Sequence, residues 1–395
     1  MNLQKHKNTL IFLSILLLAF VLRLFYLSHE SIWLDEGISI AMAKLNFAQL
    51  IDKSVIDSFP PLYYLLLHYW MLLLGDSELS VRFLSLVFSV ASIVVSYQLT
   101  KYLWQEKVAL ITAFLLAISV FHIDYAQEAR MYSLLTFLSV SSFYFFLKWK
   151  DSAAKKWMFL LFLINLLFLY THTLAVFFIA AQNIYYFLLK KKGAIVVKSW
   201  IILQLLLLLA FLPWIQIFLL QASVWQNMVW MPAPTIRDIA GTLSTYSGSI
   251  LLTLVFCVLI LKALIPYKKE QLKFNFLVFW LAFPTALLLV FCFLFQSIYL
   301  QKYTIASSLP FFILVAYGIQ SFEQKKHKIG MLSAITVLAA IRLAVYYAQE
   351  DKEQWREAVA LVESNADKND VILFDAAYCK HNAFDYYVKR SDLNK

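Results

Sequence analysis

Two adjacent carboxylates follow the first apolar run of the chain. Residues 33–37 read Trp-Leu-Asp-Glu-Gly. Adjacent side chains point in different directions on any regular backbone, so Asp35 and Glu36 are expected to do different work. A carboxylate at an apolar boundary is partly desolvated, which makes it a better general base. One acid could accept a proton while the other holds a substrate hydroxyl or a neighbouring cation; two solvated loop acids are the simpler alternative.

A second polar cluster lies between two later apolar runs. Residues 121–132 read Phe-His-Ile-Asp-Tyr-Ala-Gln-Glu-Ala-Arg-Met-Tyr. Charges placed between apolar helices are costly unless they are paired or water-lined. On a helical turn, Asp124 and Glu128 share a face, as do Glu128 and Tyr132. Arg130 would then point elsewhere and could bind a phosphate through two nitrogens. A polar cap that pairs internally is the alternative.

The segment before the second long run suggests structural roles. Pro60 and Pro61 fix an extended entry to an aromatic amphipathic helix that could lie in the membrane interface. His68 in that helix is expected to be an interfacial hydrogen-bonding group, with metal ligation the minor alternative. Glu78 and Arg82, spaced i, i+4, are expected to form a structural pair.

A late polar group and two isolated candidates complete the set. Lys302 and Tyr303 stand at the start of a late apolar run, where a cation and hydroxyl groups suit an anionic headgroup. A lysine that reaches out to the membrane surface explains Lys302 equally well. His172, between two threonines, and the pair Arg237 and Asp238 carry no distinguishing pattern.

The composition identifies the solvent of these groups. The chain has 395 residues, of which 62% are hydrophobic and 15% charged, and its mean hydropathy is +0.71. Soluble domains have about 45–50% apolar and about 25% charged residues. A soluble enzyme, a disordered chain and a secreted disulfide scaffold are therefore excluded. Cys257, Cys292 and Cys379 form no disulfide framework or metal motif. A polytopic membrane protein remains.

The apolar runs predict an all-α membrane domain over residues 1–348 with about eleven transmembrane helices. A first extracytoplasmic loop (29–78) with interfacial helices and a second large loop (221–247) interrupt the runs. The tail, 349–395, is expected to be a small α/β unit, with a helix from Trp355 and a strand at Val371–Phe374. The predicted spans are 9–28, 79–100, 108–122, 131–147, 157–170, 173–189, 199–220, 248–266, 275–295, 303–319 and 330–348.

The charges of the loops predict the orientation. With the N-terminus in the cytoplasm, the cytoplasmic segments and their flanks hold nineteen lysines against four acidic residues. This bias is the positive-inside pattern. The net charge of +10 therefore indicates topology, and nucleic acid is not an expected partner. We expect a multi-pass plasma (inner) membrane protein whose active site and C-terminal tail are extracytoplasmic.

Taken in order, the motifs resemble membrane glycosyltransferases with the C-type fold (GT-C-like). The nearest branch is the protein mannosyltransferase and aminoarabinose-transferase-like group, family 39. The resemblance spans most of the chain and is strongest over 1–150. That group often has His where this chain has Phe59, and Arg where it has Lys302. The matching segments are 33–36, 57–64 with Gly75 and Glu78…Arg82, 125–132, 302–304 with Pro310, and Tyr347 with Trp355-Arg356.

The resemblance implies a reaction and roles for the residues. The donor would be a polyprenyl phosphate carrying one sugar, and the acceptor an extracytoplasmic lipid, glycan or protein, with membrane lipids around the helices. One in-line displacement would invert the anomeric carbon. The implied roles are Asp35 as base; Glu36 holding the first-loop helix or the acceptor; Arg130 and Lys302, with Tyr303, at the donor phosphate; Glu128 and Tyr132 orienting sugar or arginine; and Asp124, Pro60, Pro61, His68 and Arg82 as support.

Other functions stay open on the sequence. The main alternative is a flippase or transporter of lipid-linked sugars, although such proteins place ionisable groups near the middle of the membrane on broken helices. A polysaccharide polymerase or ligase and a non-catalytic scaffold are further alternatives. No cofactor is required by the sequence. A divalent cation shared by Asp35, Glu36, Asp124 and Glu128 is possible, but no ligand spacing demands it.

Overall fold

The computed structural model describes residues 2–54, 59–189, 197–225, 231–264, 267–367, 370–390 and 392–393. These residues are predominantly helical, and no strand occurs in these ranges. A 3₁₀ turn (Gln301–Thr304) and a π-helical turn (Lys380–Phe384) accompany the α-helices. The helices are α1 (Asn2–Leu24), α2 (Leu34–Lys44), α3 (Phe47–Ser54), α4 (Leu62–Leu74), α5 (Glu78–Leu103), α6 (Glu106–Ala117), α7 (Val120–Asp124), α8 (Tyr132–Ser152), α9 (Lys155–Leu169), α10 (Ala175–Leu189), α11 (Val197–Trp225), α12 (Ile236–Ser247), α13 (Ile250–Ala263), α14 (Tyr267–Leu294), α15 (Ile305–Gln320), α16 (Lys325–Ala348), α17 (Trp355–Asn365), α18 (Ala377–Cys379) and α19 (Asp385–Tyr387).

The predicted membrane spans all overlap helices. Within the described ranges, six helices are long and apolar enough to cross a membrane, and a seventh is possible if α12 and α13, bent by 88° to each other, form one span. The chain is therefore an all-α multi-pass membrane protein. The count of eleven crossings stays a prediction, because several of the overlapping helices are shorter than a bilayer requires.

The interior of the bundle is built around α15. This helix packs against α6, α8, α13 and α14, and its residues are almost all buried. Gly318 permits the contact with α13, since a Cβ there would overlap the carbonyl oxygen of Leu259. In contrast, α1 and α16 expose apolar side chains such as Leu17 and Ile341. In a membrane those exposed faces contact lipid, whereas small residues bring buried helices together.

Within residues 29–78, the predicted first loop, lie helices α2, α3 and α4; their place in the membrane interface stays a prediction. Pro61 precedes α4, and the Leu62 amide donates to the carbonyl oxygen of Tyr170 (3.0 Å). Residues 55–58, which include part of the 57–64 motif, lie outside the described residues. In the second loop, residues 221–225 continue α11 and residues 236–247 form α12, whose first turn is capped by Thr235; residues 226–230 lie outside the description.

The predicted α/β tail is wrong in its strand. Trp355 does begin a helix, α17, but Val371–Phe374 is an extended segment without a pairing partner, and Val371 and Leu373 are largely exposed. A strand needs an edge that satisfies its backbone groups, and the neighbouring elements here are helical. Instead, the turn Lys380–Phe384 packs against α2. The tail thus rests on the helix that carries Asp35 and Glu36.

Candidate functional site

Asp35 lies in the first turn of α2 at one end of a cavity of about 1200 Å³. Its side chain is 26% exposed, and two cations approach its Oδ2 atom: Lys302 Nζ at 3.4 Å and Arg130 Nη2 at 3.9 Å. Arg130 also donates from Nη1 to the backbone carbonyl of Asp35 (3.0 Å). A carboxylate in the first turn of a helix is favoured by the helix dipole. Three groups predicted from separate segments therefore meet at one place.

Aromatic rings hold the two cations. The Arg130 guanidinium lies 5.2 Å from the ring centre of Phe59, and Arg130 Nη1 contacts the Ser39 hydroxyl (3.3 Å). Lys302 Nζ lies 5.6 Å from the ring centres of both Trp33 and Tyr132. Cations over ring faces are stabilised by the ring quadrupole. The end of the cavity is consequently positive on two sides of one carboxylate, an arrangement that suits an anionic group.

The rest of the cavity wall is mainly apolar. One face of α2 supplies Ile38, Ala41, Met42 and Leu45, which follow helical spacing. Further lining residues come from the segments around Leu174 and Ile298–Leu300, and the tail adds Tyr378, His381 and Asn382. A polar end with a long apolar wall fits an amphiphilic molecule with an anionic head.

Glu36 has different surroundings from Asp35. Its carboxylate is fully buried and receives two hydrogen bonds from Arg82, Nε to Oε1 (2.8 Å) and Nη2 to Oε2 (2.6 Å). The Ala129 amide donates to it (2.8 Å), and Lys352 Nζ lies 3.7 Å away. Burial alone would raise the pKa of Glu36, but Arg82, Lys352 and the amide lower it to about 2. Glu36 does not line the cavity; it fixes α2 to α5 and to the turn after α7.

The predicted pair of Glu78 and Arg82 is wrong in its partners. Arg82 binds Glu36 and donates to the carbonyls of Leu27, Glu30 and Ser31. Glu78 instead forms an ion pair with Arg356 of the tail (Nη2 to Oε2, 2.6 Å) and accepts a hydrogen bond from the Tyr387 hydroxyl. An i, i+4 spacing makes a pair possible. A buried arginine, however, needs a carboxylate beside it to compensate its charge, and Glu36 is that carboxylate.

The turn after α7 is not a helix. Because α7 ends at Asp124 and residues 125–131 form turns, Asp124 and Glu128 do not share a helical face as predicted. Burial raises the pKa of both carboxyls. Glu128 Oε2 has no hydrogen-bond partner among the described residues, and neither acid lines the cavity. The implied role of Glu128 in orienting sugar or arginine stays a prediction, whereas Arg130 from the same turn does line the cavity.

Other predicted residues are close to the site or support it. Tyr303 lines the cavity, and its ring centre lies 6.2 Å from that of Tyr132. His68 Nδ1 lies 2.7 Å from the carbonyl oxygen of Ala43 and so ties α4 to α2. Among the described ranges, no three His, Cys, Asp or Glu side chains come together in a way that could hold a metal ion.

His172 and the tail are the main additions to the predicted site. His172 is 1% exposed, lines the cavity, and has its ring centre 4.9 Å from Phe59 and 5.4 Å from Tyr303. Its place between two predicted spans puts it on the same predicted side as the other candidates, but no motif in the sequence distinguishes it. Asn382 had no signal at all, because its position depends on how the tail folds back.

Comparison with known proteins supports the fold. Residues 58–217 match the family model of dolichyl-phosphate-mannose-protein mannosyltransferase. No curated protein sequence matches the chain. Among solved structures, ArnT from Cupriavidus metallidurans in the apo state has a TM-score of 0.61 at 13% identity, covering 92% of this chain and 66% of that one. The same protein bound to undecaprenyl phosphate gives 0.59 at 14% identity, covering 91% and 66%.

An archaeal enzyme has the same architecture. The oligosaccharyltransferase of Archaeoglobus fulgidus in the apo form has a TM-score of 0.59 at 12% identity, covering 95% of this chain and 63% of that one. The chain spans 63–66% of the length of these solved structures, and 47% of the same oligosaccharyltransferase in complex with Zn and sulfate. It therefore has the C-type fold of membrane glycosyltransferases, which confirms the fold that the resemblance implied. Within that fold, its similarity to the mannosyltransferase family model covers residues 58–217.

Proposed function

We propose that the protein is a membrane glycosyltransferase that moves a sugar from a polyprenyl-phosphate donor to an extracytoplasmic acceptor. The observation that carries the proposal is Asp35 held between Lys302 and Arg130, at the polar end of a cavity with an apolar wall. The family model and the ArnT structure bound to undecaprenyl phosphate support this class of donor.

The donor would lie along the cavity with its phosphate at the cationic end. Arg130 and Lys302 would bind phosphate oxygens, and the first isoprene units would contact Ile38, Met42 and Leu45 on α2. In the structure both cations face the carboxylate of Asp35. A bound phosphate would compete for them, and Asp35 would then be free to serve as a base. Donor binding would thus prepare the acceptor side of the reaction.

Asp35 would remove the proton of the acceptor hydroxyl as its oxygen attacks the anomeric carbon. The new carbon–oxygen bond forms while the bond from that carbon to the phosphate oxygen breaks, and the electron pair leaves with polyprenyl phosphate. A single displacement inverts the anomeric carbon. The phosphate gains negative charge in the transition state, so Arg130 and Lys302 stabilise that state more than the ground state.

The test compares Asp35→Asn with wild-type protein. Purified protein in detergent is given a panel of polyprenyl-phosphate sugars, with solubilised membranes of a deletion strain as the acceptor source, and released polyprenyl phosphate is measured. Loss of a general base lowers a reaction rate about 10²–10⁴-fold. We therefore expect the rate of polyprenyl phosphate release by Asp35→Asn to fall by at least about 10²-fold. Asp52→Asn is the matched control, because Asp52 is an exposed acid of the same loop.

The alternative outcomes separate the parts of the proposal. Equal release by both proteins would keep the transferase and remove Asp35 as its base. Binding of lipid-linked sugar without release from any donor would overturn the transferase in favour of a flippase.

A further inference from the structure

His172 has one satisfied and one unsatisfied ring nitrogen. The backbone amide of Leu174 donates to His172 Nδ1 (3.1 Å). A nitrogen that accepts a hydrogen bond carries no proton, so in the neutral ring the proton is on Nε2. Nε2 is buried and has no hydrogen-bond partner among the described residues. A histidine that served only to shape its loop would need Nδ1 alone. Such a role does not explain why the Nε2–H group is buried without a partner among the described residues.

The surroundings of the ring keep it neutral. Burial, and then the positive charges of Arg130 and Lys302, lower the pKa of His172 to about 3. The other titratable groups near the ring are Tyr303 and Tyr132, whose ring centres lie 5.4 Å and 6.5 Å away. His172 therefore offers a hydrogen-bond donor without a charge at neutral pH, beside two donors that are charged.

The His172 side chain is part of the cavity lining, and its Nε2 atom is buried there. Phe59 and Tyr303, whose rings flank the imidazole, line the cavity as well. Phe59 also contacts Arg130, whose guanidinium lies 5.2 Å from the centre of the Phe59 ring. The imidazole, the guanidinium and the Lys302 ammonium thus surround one end of the cavity from three separate segments. An oxygen-rich anion at that end would meet all three.

We infer that His172 binds the donor headgroup, with its Nε2–H donating to an oxygen of the phosphate beside Arg130 and Lys302. This inference rests on the proposed function and assigns His172 as a binding residue of that site. The neutral Nε2–H group orients the headgroup because a hydrogen bond is directional, whereas the two cations attract the phosphate over a longer range. A buried N–H group without a partner is costly, so a hydrogen bond from Nε2–H to a ligand oxygen would add to the affinity for that ligand.

The experiment uses undecaprenyl phosphate as the probe, titrated calorimetrically into the full-length protein in detergent. His172→Gln can place an amide N–H near the position of Nε2, whereas His172→Phe keeps the ring and removes the donor. His172→Asn can keep the acceptor for Leu174 without reaching the Nε2 position. We expect Kd to rise about tenfold in the Phe and Asn variants and to stay near wild type in Gln. His327→Gln, at an exposed histidine, is the control.

A neutral imidazole also predicts how binding depends on pH. Between pH 6 and 8 the ratio of Kd values of His172→Phe and wild type should be constant, since the imidazole does not titrate there. A ratio that falls as pH rises through 6.5 would show a charged imidazole and overturn the inference. Unchanged binding by Phe and Asn would also overturn it. So would equal loss in all three variants with a lowered melting temperature, which would make His172 a structural residue.

Failure of the proposed function looks different. Wild-type protein that binds neither undecaprenyl phosphate nor its sugar-linked form would refute the lipid-linked donor itself. Inorganic phosphate that competes with undecaprenyl phosphate at equal concentration would show a free-anion site in place of a lipid headgroup site.

Discussion

Asp35 and Glu36 are neighbours in sequence, but their carboxylates have opposite surroundings. Asp35 is partly exposed in the cavity between Lys302 and Arg130, whereas Glu36 is buried and receives two hydrogen bonds from Arg82. The sequence identified the pair and predicted two different jobs. It predicted Glu78 as the partner of Arg82 from their i, i+4 spacing, and this prediction is wrong. Arg82 binds Glu36, and the folded tail brings Arg356 to Glu78.

The Glu36 ion pair predicts a loss of stability that depends on pH. Removing one partner of a buried pair leaves an uncompensated charge and costs about 3–5 kcal/mol. We expect Glu36→Gln to lower the melting temperature in detergent strongly at neutral pH. Because the pKa of Glu36 is lowered from 4.5 to about 2, its contribution is complete above pH 4.5 and is lost as pH falls towards 2. The gap in melting temperature between Glu36→Gln and wild type should therefore narrow as pH falls from 4.5 towards 2.

Thermal unfolding monitored by light scattering or dye binding measures this gap. Glu323→Gln serves as the control, since Glu323 is exposed. A gap that is small at pH 7, or that grows on acidification, would show that Glu36 does not carry the charge of this pair.

At the scale of elements, the tail and α2 are in direct backbone contact. A Cβ at residue 37 would overlap the carbonyl oxygen of Asn382. We therefore expect Gly37→Ala to displace the turn Lys380–Phe384 and to raise the rate at which a protease cleaves the tail. Transfer activity should fall as well, because Asn382 and His381 line the cavity. Gly330→Ala is the matched control, since nothing lies within 4 Å of that added atom.

Limited proteolysis followed by mass spectrometry of the released peptides measures this displacement. Equal cleavage of the Gly37 and Gly330 variants would mean that the tail does not depend on close approach to α2.

Helix positions were largely predictable, whereas the relations between elements were not. Apolar runs located the helices because burial and lipid contact both require apolar side chains over many turns. The strand at 371–374 was wrong because β-forming residues pair only if a neighbouring edge exists. Residues 236–247 were predicted as part of the second loop, which is rich in tryptophan and proline. Those tryptophans and prolines all precede Thr235, the residue that caps helix α12. The contacts of His172 and Asn382 depend on long-range packing, for which one sequence holds no signal.

At the scale of the whole molecule, the proposed orientation can be tested with native cysteines. Cys379 lies in the tail, and Cys257 and Cys292 lie in helices α13 and α14. With the latter two replaced by alanine, we expect a membrane-impermeant maleimide to label Cys379 in intact cells. In a Cys379→Ser background, Ser152→Cys, at the last residue of α8, should be labelled only after the membrane is opened. The reverse pattern would invert the topology and place the cavity on the cytoplasmic side.

The bonds between the tail and the first loop have a consequence for biosynthesis. Lys352 lies against Glu36 and donates to the carbonyl of Gln127 (2.9 Å), Arg356 binds Glu78, and Tyr387 donates to Glu78. These partners leave the ribosome only after α1–α16 have been made. A nascent chain still being inserted into the membrane therefore has the proposed base but lacks the tail groups that contact Glu36 and Glu78 near it. Under the proposed function, such a chain would not consume lipid-linked sugar until its insertion is finished.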